Sequence, residues 1–490
     1  MNILMVSSEA MPFASTGGLA SAVTFLASTL IDNGHNVKIL LPRYYGISRD
    51  ILNSTNLKLN VFCDFEDKSV NIYTSTIKTS QNNNLEFYFI DYEKYFGRDG
   101  IYGTKEEPNY NDNPQRFSLL CHSTFQLCRE LNWFPDIIHS YDWPTALISV
   151  LLKFYERKNP EFSNTKSILT IHNLGFQGIY SKHLFPTTNI EWKYYYSAGF
   201  ENFDNMNFLK AGIQCADMIT TVSTTYAKEI LTEKFGLKLD SLLRYRSEDL
   251  YGILNGIDSK FWNPQTDKFI FQNYSVDNLK LKTKNKLELQ RRMGLEINPD
   301  IPLISFYSQF IEQKGINELF SPSFGCTHAI CTDMKIQFIV MGTGESWCEN
   351  EIKILENNLP NFKSFIGFDE ELEHLLICGS DFMLIPSKYE PCGSIQMNCQ
   401  RYGTLPIISA IGGLADSVEN YNEKTGTGTG FMFNDLTPQS VYDTVGWAVF
   451  AWYNKTKHIT QMQKRVMEKD FSWENSAHEY KKLYTKLLKK

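Results

Sequence analysis

Residues 3–41 do most to limit the folds open to this chain. Ile3-Leu4-Met5-Val6 is a short, uninterrupted apolar run, the pattern of a strand buried on both faces. Ser15-Thr16-Gly17-Gly18 breaks that pattern, helical periodicity then covers 19–31 with Gly34 just past its end, and 37–41 reads as a second strand. Strand, helix and strand in this order predict parallel pairing through a right-handed crossover.

The alternation recurs. Strands are expected to close at 136–139 and to run over 168–172 and 218–222, with a helix at 146–154. A lysine-rich helix is expected at 279–293, followed by a second series of strands at 303–307, 337–341, 382–385 and 406–409. The reading is an α/β chain of two doubly wound halves joined near 244–252. The division is placed at 1–247 and 248–490, with a last helix (about 474–490) folding back on the first half. Open parallel sheets bind ligands beyond the carboxyl ends of their strands, so two facing halves would enclose a cleft.

Composition narrows the function. A formal charge of -7 leaves no electrostatic footprint for nucleic acid or an anionic membrane, so an anionic ligand must be held by locally placed groups. Ten cysteines occur without a C-x-x-C, which reads as buried thiols in a reducing compartment, not as zinc ligands or disulfides. The opening apolar run is too short for a signal-peptide core, and none approaches the ~20 residues of a membrane helix. A cytoplasmic protein is expected, or an organelle-resident one without its targeting peptide.

Several residues at expected strand ends carry chemistry. Gly17 and Gly18 open a helix, where backbone amides can meet a phosphate. Gly412-Gly413-Leu414-Ala415 repeats the motif in the second half, either as a second grip on one ligand or as an independent turn. Lys314 follows a strand end and can neutralise a diphosphate leaving group. Glu390, constrained by Pro391, can accept hydrogen bonds from sugar hydroxyls. Asp142 and His172 lie at corresponding positions in the first half. Phe368 is the aromatic chosen to face a base.

The ordered motifs resemble those of bacterial-type glycogen synthases and plant starch synthases along nearly the whole chain. They include Ser7-Ser8-Glu9, Thr16-Gly17-Gly18-Leu19-Ala20, His139 with Asp142-Trp143, and Thr170-Ile171-His172-Asn173. Asn207-Phe208-Leu209-Lys210-Ala211-Gly212 and Trp262-Asn263-Pro264 follow, then EPCG from Glu390 and GGLADSV from Gly412. The resemblance implies a GT-B fold and a retaining transfer of glucose from ADP-glucose or UDP-glucose to the non-reducing end of an α-1,4-glucan, without cofactor or metal. It implies that Glu390 and His172 contact the transferred glucose, that Asp142 lies near sugar and acceptor, and that Lys314 neutralises the diphosphate. Ser15, Gly17, Gly18, Asn173, Asn255, Gln309, Phe368, Cys392, Gly393, Ser394, Ile395, Gly412 and Gly413 complete the expected substrate-binding set.

Three positions depart from the family pattern. Ser15 stands where a lysine is usual, Ser21 where an aspartate is usual, and Gln309 where an arginine is usual. Losing one well-placed charge typically costs ~3 kcal/mol of transition-state stabilisation. A catalytically silent relative that binds glucan or regulates a synthase is therefore the second expectation.

Overall fold

The computed structural model describes residues 1–489. The chain divides into two compact units: Met1–Asn255 with the segment from Trp473 onward, and Gly256–Ser472.

The first unit holds β1 (Asn2–Val6), β2 (Asn36–Pro42), β3 (Asn53–Cys63), β4 (Glu66–Lys78), β5 (Asn84–Asp91), β6 (Ile137–Tyr141) and β7 (Lys166–Ile171). It continues with β8 (Ile179–Ser181), β9 (Glu201–Asn202), β10 (Asn205–Asn207), β11 (Met218–Thr221) and β12 (Leu250–Gly252). The main sheet is ordered β12-β11-β7-β6-β1-β2-β5-β4-β3 and is parallel from β12 to β5. The antiparallel pair β3–β4 extends its edge. The opening motif folds as its pattern predicts. Ile3, Leu4, Met5 and Val6 are buried, and the helix Gly18–Asp32 turns Leu19, Val23, Leu26 and Leu30 inward. β8, β10 and β9 make a small separate antiparallel sheet.

The first unit reaches Asn255, beyond residue 247, because β12 pairs in parallel with β11 and so belongs to this sheet. It also takes in the final helix, Trp473–Leu488. Trp473 stacks on Phe25 with ring centroids 6.5 Å apart, and Ser476 Oγ donates to the Leu254 carbonyl at 2.6 Å. Deeper in, His139 Nδ1 lies 2.8 Å from Tyr484 Oη, and its Nε2 lies 2.6 Å from Thr170 Oγ1.

The second unit holds β13 (Leu303–Tyr307), β14 (Gln337–Gly342), β15 (Phe362–Ile366), β16 (Phe382–Ile385), β17 (Leu405–Ser409) and β18 (Phe431–Phe433). They form one parallel sheet ordered β15-β14-β13-β16-β17-β18. Along β14, Phe338 and Val340 enter one apolar cluster, while Ile339 and Met341 enter another. Alternate side chains thus feed two cores, as expected of a sheet covered by helices on both faces.

Each sheet has one topological switch point. Chain order runs in opposite directions from β1, toward β2 on one side and β6 on the other, and likewise from β13 toward β14 and β16. Ligands of doubly wound sheets bind outside the strand ends at such points. Among the described residues, no helix is long and apolar enough to cross a membrane. No disulfide forms among them, and nine of the ten cysteines are buried.

Candidate active-site groups at the two switch points

In the first unit, β1 runs into Ser7-Ser8-Glu9. The buried Glu9 carboxylate accepts hydrogen bonds from Tyr102 Oη at 2.6 Å and Thr16 Oγ1 at 2.8 Å, and also from the Thr16 amide. The glycine turn is thereby tied to the end of β1. The sequence motif contains Glu9 but carries no sign of this anchoring role beyond a carboxylate at a strand end just before a glycine turn.

Across the switch point, β6 ends at Tyr141, and Asp142 adopts φ 54°, a region sparsely populated by residues other than glycine. That turn directs its carboxylate toward the end of β7, where Oδ1 accepts from the His172 amide at 2.7 Å. Asp142, His172 and Asn173 are thus brought together. Burial pushes the Asp142 carboxyl up to about 7, against the pull of the His172 and Asn173 amides and with help from the Glu9 charge. Burial pushes His172 down to about 4, so its imidazole is neutral at neutral pH. Asn255 lies beyond β12 and is half-buried; among the described residues no hydrogen bond joins it to this group.

These shifts make a prediction with a definite sign. Asp142 binds its proton more tightly when folded than when unfolded, so from about pH 4 to 7 its contribution to stability falls as pH rises. Asp142→Asn cannot titrate. Its melting temperature relative to the parent is expected to climb by about 2–4 °C between pH 4 and pH 8. Calorimetry at both values checks this, and a difference that does not change with pH rejects burial as the cause. The buried histidines act in the opposite sense. His139 and His172 stay neutral when folded, down to about 3 and 4, so they cost stability as pH falls below their unfolded value.

Gly17 and Gly18 are exposed at the start of the helix Gly18–Asp32, which has no side-chain cap. A Cβ built on either meets nothing within 4 Å, and Gly17 has an extended φ of -173°. Neither packing nor backbone strain therefore calls for glycine there, while uncapped amides on an open face suit an anion. Gly17→Ala is expected to leave the melting temperature within about 1 °C while raising KM for the sugar nucleotide roughly tenfold. Thermal scans and initial rates measure both. Ser15 is exposed and donates to the Gly17 carbonyl at 3.4 Å; Ser21 donates to that of Gly18 at 3.0 Å.

In the second unit, β13 leads to the exposed Gln309 and then to Lys314, and β16 leads to Glu390. Lys314 Nζ lies 2.6 Å from Glu390 Oε2, which also accepts from Ser387 Oγ at 3.0 Å. Gly315 fixes this approach: its φ is +77°, and a Cβ would stand 2.1 Å from the Pro386 carbonyl oxygen. Gln313 Nε2 donates to the Tyr389 carbonyl at 3.1 Å, and the Lys388 amide donates to the Gln313 carbonyl at 2.8 Å, lacing the two loops together. Cys392, Gly393, Ser394 and Ile395 continue from Glu390 into the first turn of the helix Ile395–Arg401. Phe368 is exposed and packs edge-on against Tyr307, with centroids 6.0 Å apart.

The two glycine turns are not equivalent. Gly412 and Gly413 are buried, and added Cβ atoms would stand 2.0 Å from the carbonyl oxygens of Glu390 and Cys392 respectively. The Gly413 amide donates to the Glu390 carbonyl at 3.0 Å. This turn supports the Glu390 loop from behind, whereas Gly17 and Gly18 face open space. Among the described residues, no group of three or more His, Cys, Asp or Glu side chains is placed to hold a metal ion.

The catalytic domain of starch synthase IV from Arabidopsis thaliana, solved with ADP and acarbose, matches with a TM-score of 0.86 and 28% identity, covering 100% of this chain and 99% of that one. A sucrose-phosphate synthase from Thermosynechococcus elongatus matches with a TM-score of 0.59 at 16% identity and shares the fold alone. With a switch point on each of two Rossmann-like units, this is a glycosyltransferase of the GT-B class. Residues 2–245 match the family model described as starch synthase catalytic domain, and 290–449 match glycosyl transferases group 1. The chain is 50% identical to a glycogen synthase of Treponema denticola, covering 100% of this chain and 99% of that protein. It is 37% identical to one from Thermotoga maritima, with 100% and 99% covered. The chain belongs to the glycogen/starch synthase family of glucosyltransferases. These comparisons lend no support to the silent-relative reading.

Proposed function

We propose that this chain transfers glucose from ADP-glucose, with UDP-glucose as the competing donor, to the non-reducing end of an α-1,4-glucan with retention of configuration, in the cytoplasm. The Lys314–Glu390 pair at the second switch point carries this reading. Departure of a nucleoside diphosphate leaves growing negative charge on its β-phosphate, and we assign Lys314 as the cation that meets it. Once Lys314 turns to the phosphate, the Glu390 carboxylate can accept from a glucose hydroxyl while Ser387 still holds it in place. Amides near Gly18 and at Gly393 to Ile395 add further donors, and Phe368 offers a ring face to the base. In the first unit, neutral His172 can hydrogen-bond the transferred glucose, and Asp142 lies beside it. The acceptor hydroxyl attacks the anomeric carbon from the face the diphosphate leaves, as the C–O bond between that carbon and the β-phosphate breaks, and passes its proton to the departing phosphate oxygen.

Radiolabelled ADP-glucose or UDP-glucose with a glycogen primer tests the reading. The expected product yields its label to β-amylase, which trims α-1,4 chains from their non-reducing ends. No incorporation at high protein concentration, with no affinity for either nucleoside diphosphate by calorimetry, would reject it.

A further inference from the structure

We propose that the small sheet of β8, β10 and β9, with the turn packed beside it, forms a second glucan-binding surface that continues outward from the end of β7. The proposal rests on the reading above that the acceptor is a glucan. Four aromatic rings in this region stand in water: Phe176 is 65% exposed, Trp192 52%, Tyr196 77% and Phe203 71%.

Contacts between their neighbours link them into one region. Phe176 lies in the loop that leaves His172 and Asn173, and its amide donates to the Asn173 carbonyl at 3.3 Å. The next residue, Gln177, donates through Nε2 to the Leu237 carbonyl at 3.1 Å, and Lys238 Nζ lies 5.0 Å from the Phe203 ring centroid. Phe203 sits between β9 and β10. Tyr195 Oη donates to the Asn205 carbonyl of β10 at 2.9 Å, and the Tyr195 ring touches both Trp192 and Tyr196 at 5.1 Å. The loop is constrained where it enters β8, because Gly178 has φ +64° and leaves no room for a Cβ against the Trp143 ring.

Grouped rings left in water mark a binding surface, since soluble proteins rarely expose large apolar patches. The occupant must match aromatic faces edged by polar groups. Here the Lys182–Asp204 and Lys193–Glu191 pairs flank the rings. Pyranose rings have apolar C–H faces for stacking and hydroxyl rims for hydrogen bonding, whereas the core of a protein interface is depleted in charge. The surface begins at Phe176, in the loop that leaves His172, the residue assigned above to the transferred glucose, so an acceptor chain reaching that glucose can extend over it.

The test is the full-length Tyr196→Ala/Phe203→Ala variant in native gels cast with glycogen, without donor, together with initial rates. Affinity for glycogen is expected to fall about tenfold and KM for glycogen to rise about tenfold, the loss of roughly two stacked rings. KM for maltotriose, KM for the sugar nucleotide and kcat are expected to stay within about twofold. Tyr196→Trp/Phe203→Tyr is expected to restore the parent values. Should the double variant fold poorly, the single Tyr196→Ser change is read in the same gel. Unchanged glycogen affinity, an equal loss with maltotriose, or dissociation of a dimer by sedimentation would overturn the proposal. If the parent is retarded by glycogen and the variant is not, yet neither incorporates glucose, the transferase reading fails and the binding surface stands.

Discussion

Lys314→Ala is expected to lower kcat by about two to three orders of magnitude while leaving KM for glucan within about twofold. The size follows from the chemistry assigned to Lys314, which meets charge that grows only as the diphosphate leaves. Ground-state binding of the acceptor makes no use of that charge. The fold itself depends little on the lysine. Its pair with Glu390 is partly open to solvent, at 23% and 12% exposure, and such pairs contribute at most about 1 kcal/mol. Rates with radiolabelled donor and a thermal scan separate the two effects. A kcat loss below tenfold would place the stabilising charge elsewhere. A large fall in melting temperature would recast the pair as structural.

Gly412→Ala is expected to damage both stability and turnover. The residue has φ +42°, and a Cβ would stand 2.0 Å from the Glu390 carbonyl oxygen. A left-handed non-glycine residue and an overpacked contact together cost about 3 kcal/mol. Relief requires the Glu390 loop to move, and a shift of ~1 Å in a positioned group costs about a hundredfold in rate. The expected result is a lower unfolding midpoint in urea and a kcat reduced about a hundredfold. Gly17→Ala, in the same GGLA motif, is expected to keep the parent's stability. If the two variants behaved alike, the contrast between a supporting turn and an open one would be wrong.

That contrast shows where the sequence is legible and where it is not. The motifs around Gly17 and Gly412 are the same letters, and only tertiary packing separates open space from the back of the Glu390 loop. Strands that form the parallel core are readable because burial on both faces makes them continuous apolar runs, as in 3–6 and 382–385. β3 and β4 escaped that reading because they alternate polar and apolar residues at a sheet edge. Their turn also places Asp64 and Phe65 at φ 55° and 62° without the glycine that usually marks such hairpins. Asp142 is visible as a polar residue at a strand end. Its left-handed backbone, which swings the carboxylate onto the amide of His172, has no signature in its neighbours. Glu9 was visible as part of a motif, but its hold on Thr16 depends on a tyrosine far along the chain.

The first unit is assembled from two stretches of chain, 1–255 and the segment from Trp473 onward, with the second unit spliced between them. During synthesis the early strands leave the ribosome long before their last helix exists. Until residues 473–488 emerge, the indole stacked on Phe25 and the hydroxyl facing His139 are missing. The inserted unit has all its strands by then and can fold first. Removal of this helix would therefore take from the buried His139 the Tyr484 hydroxyl, its nearer Nδ1 partner, and leave the earlier-made half unfinished.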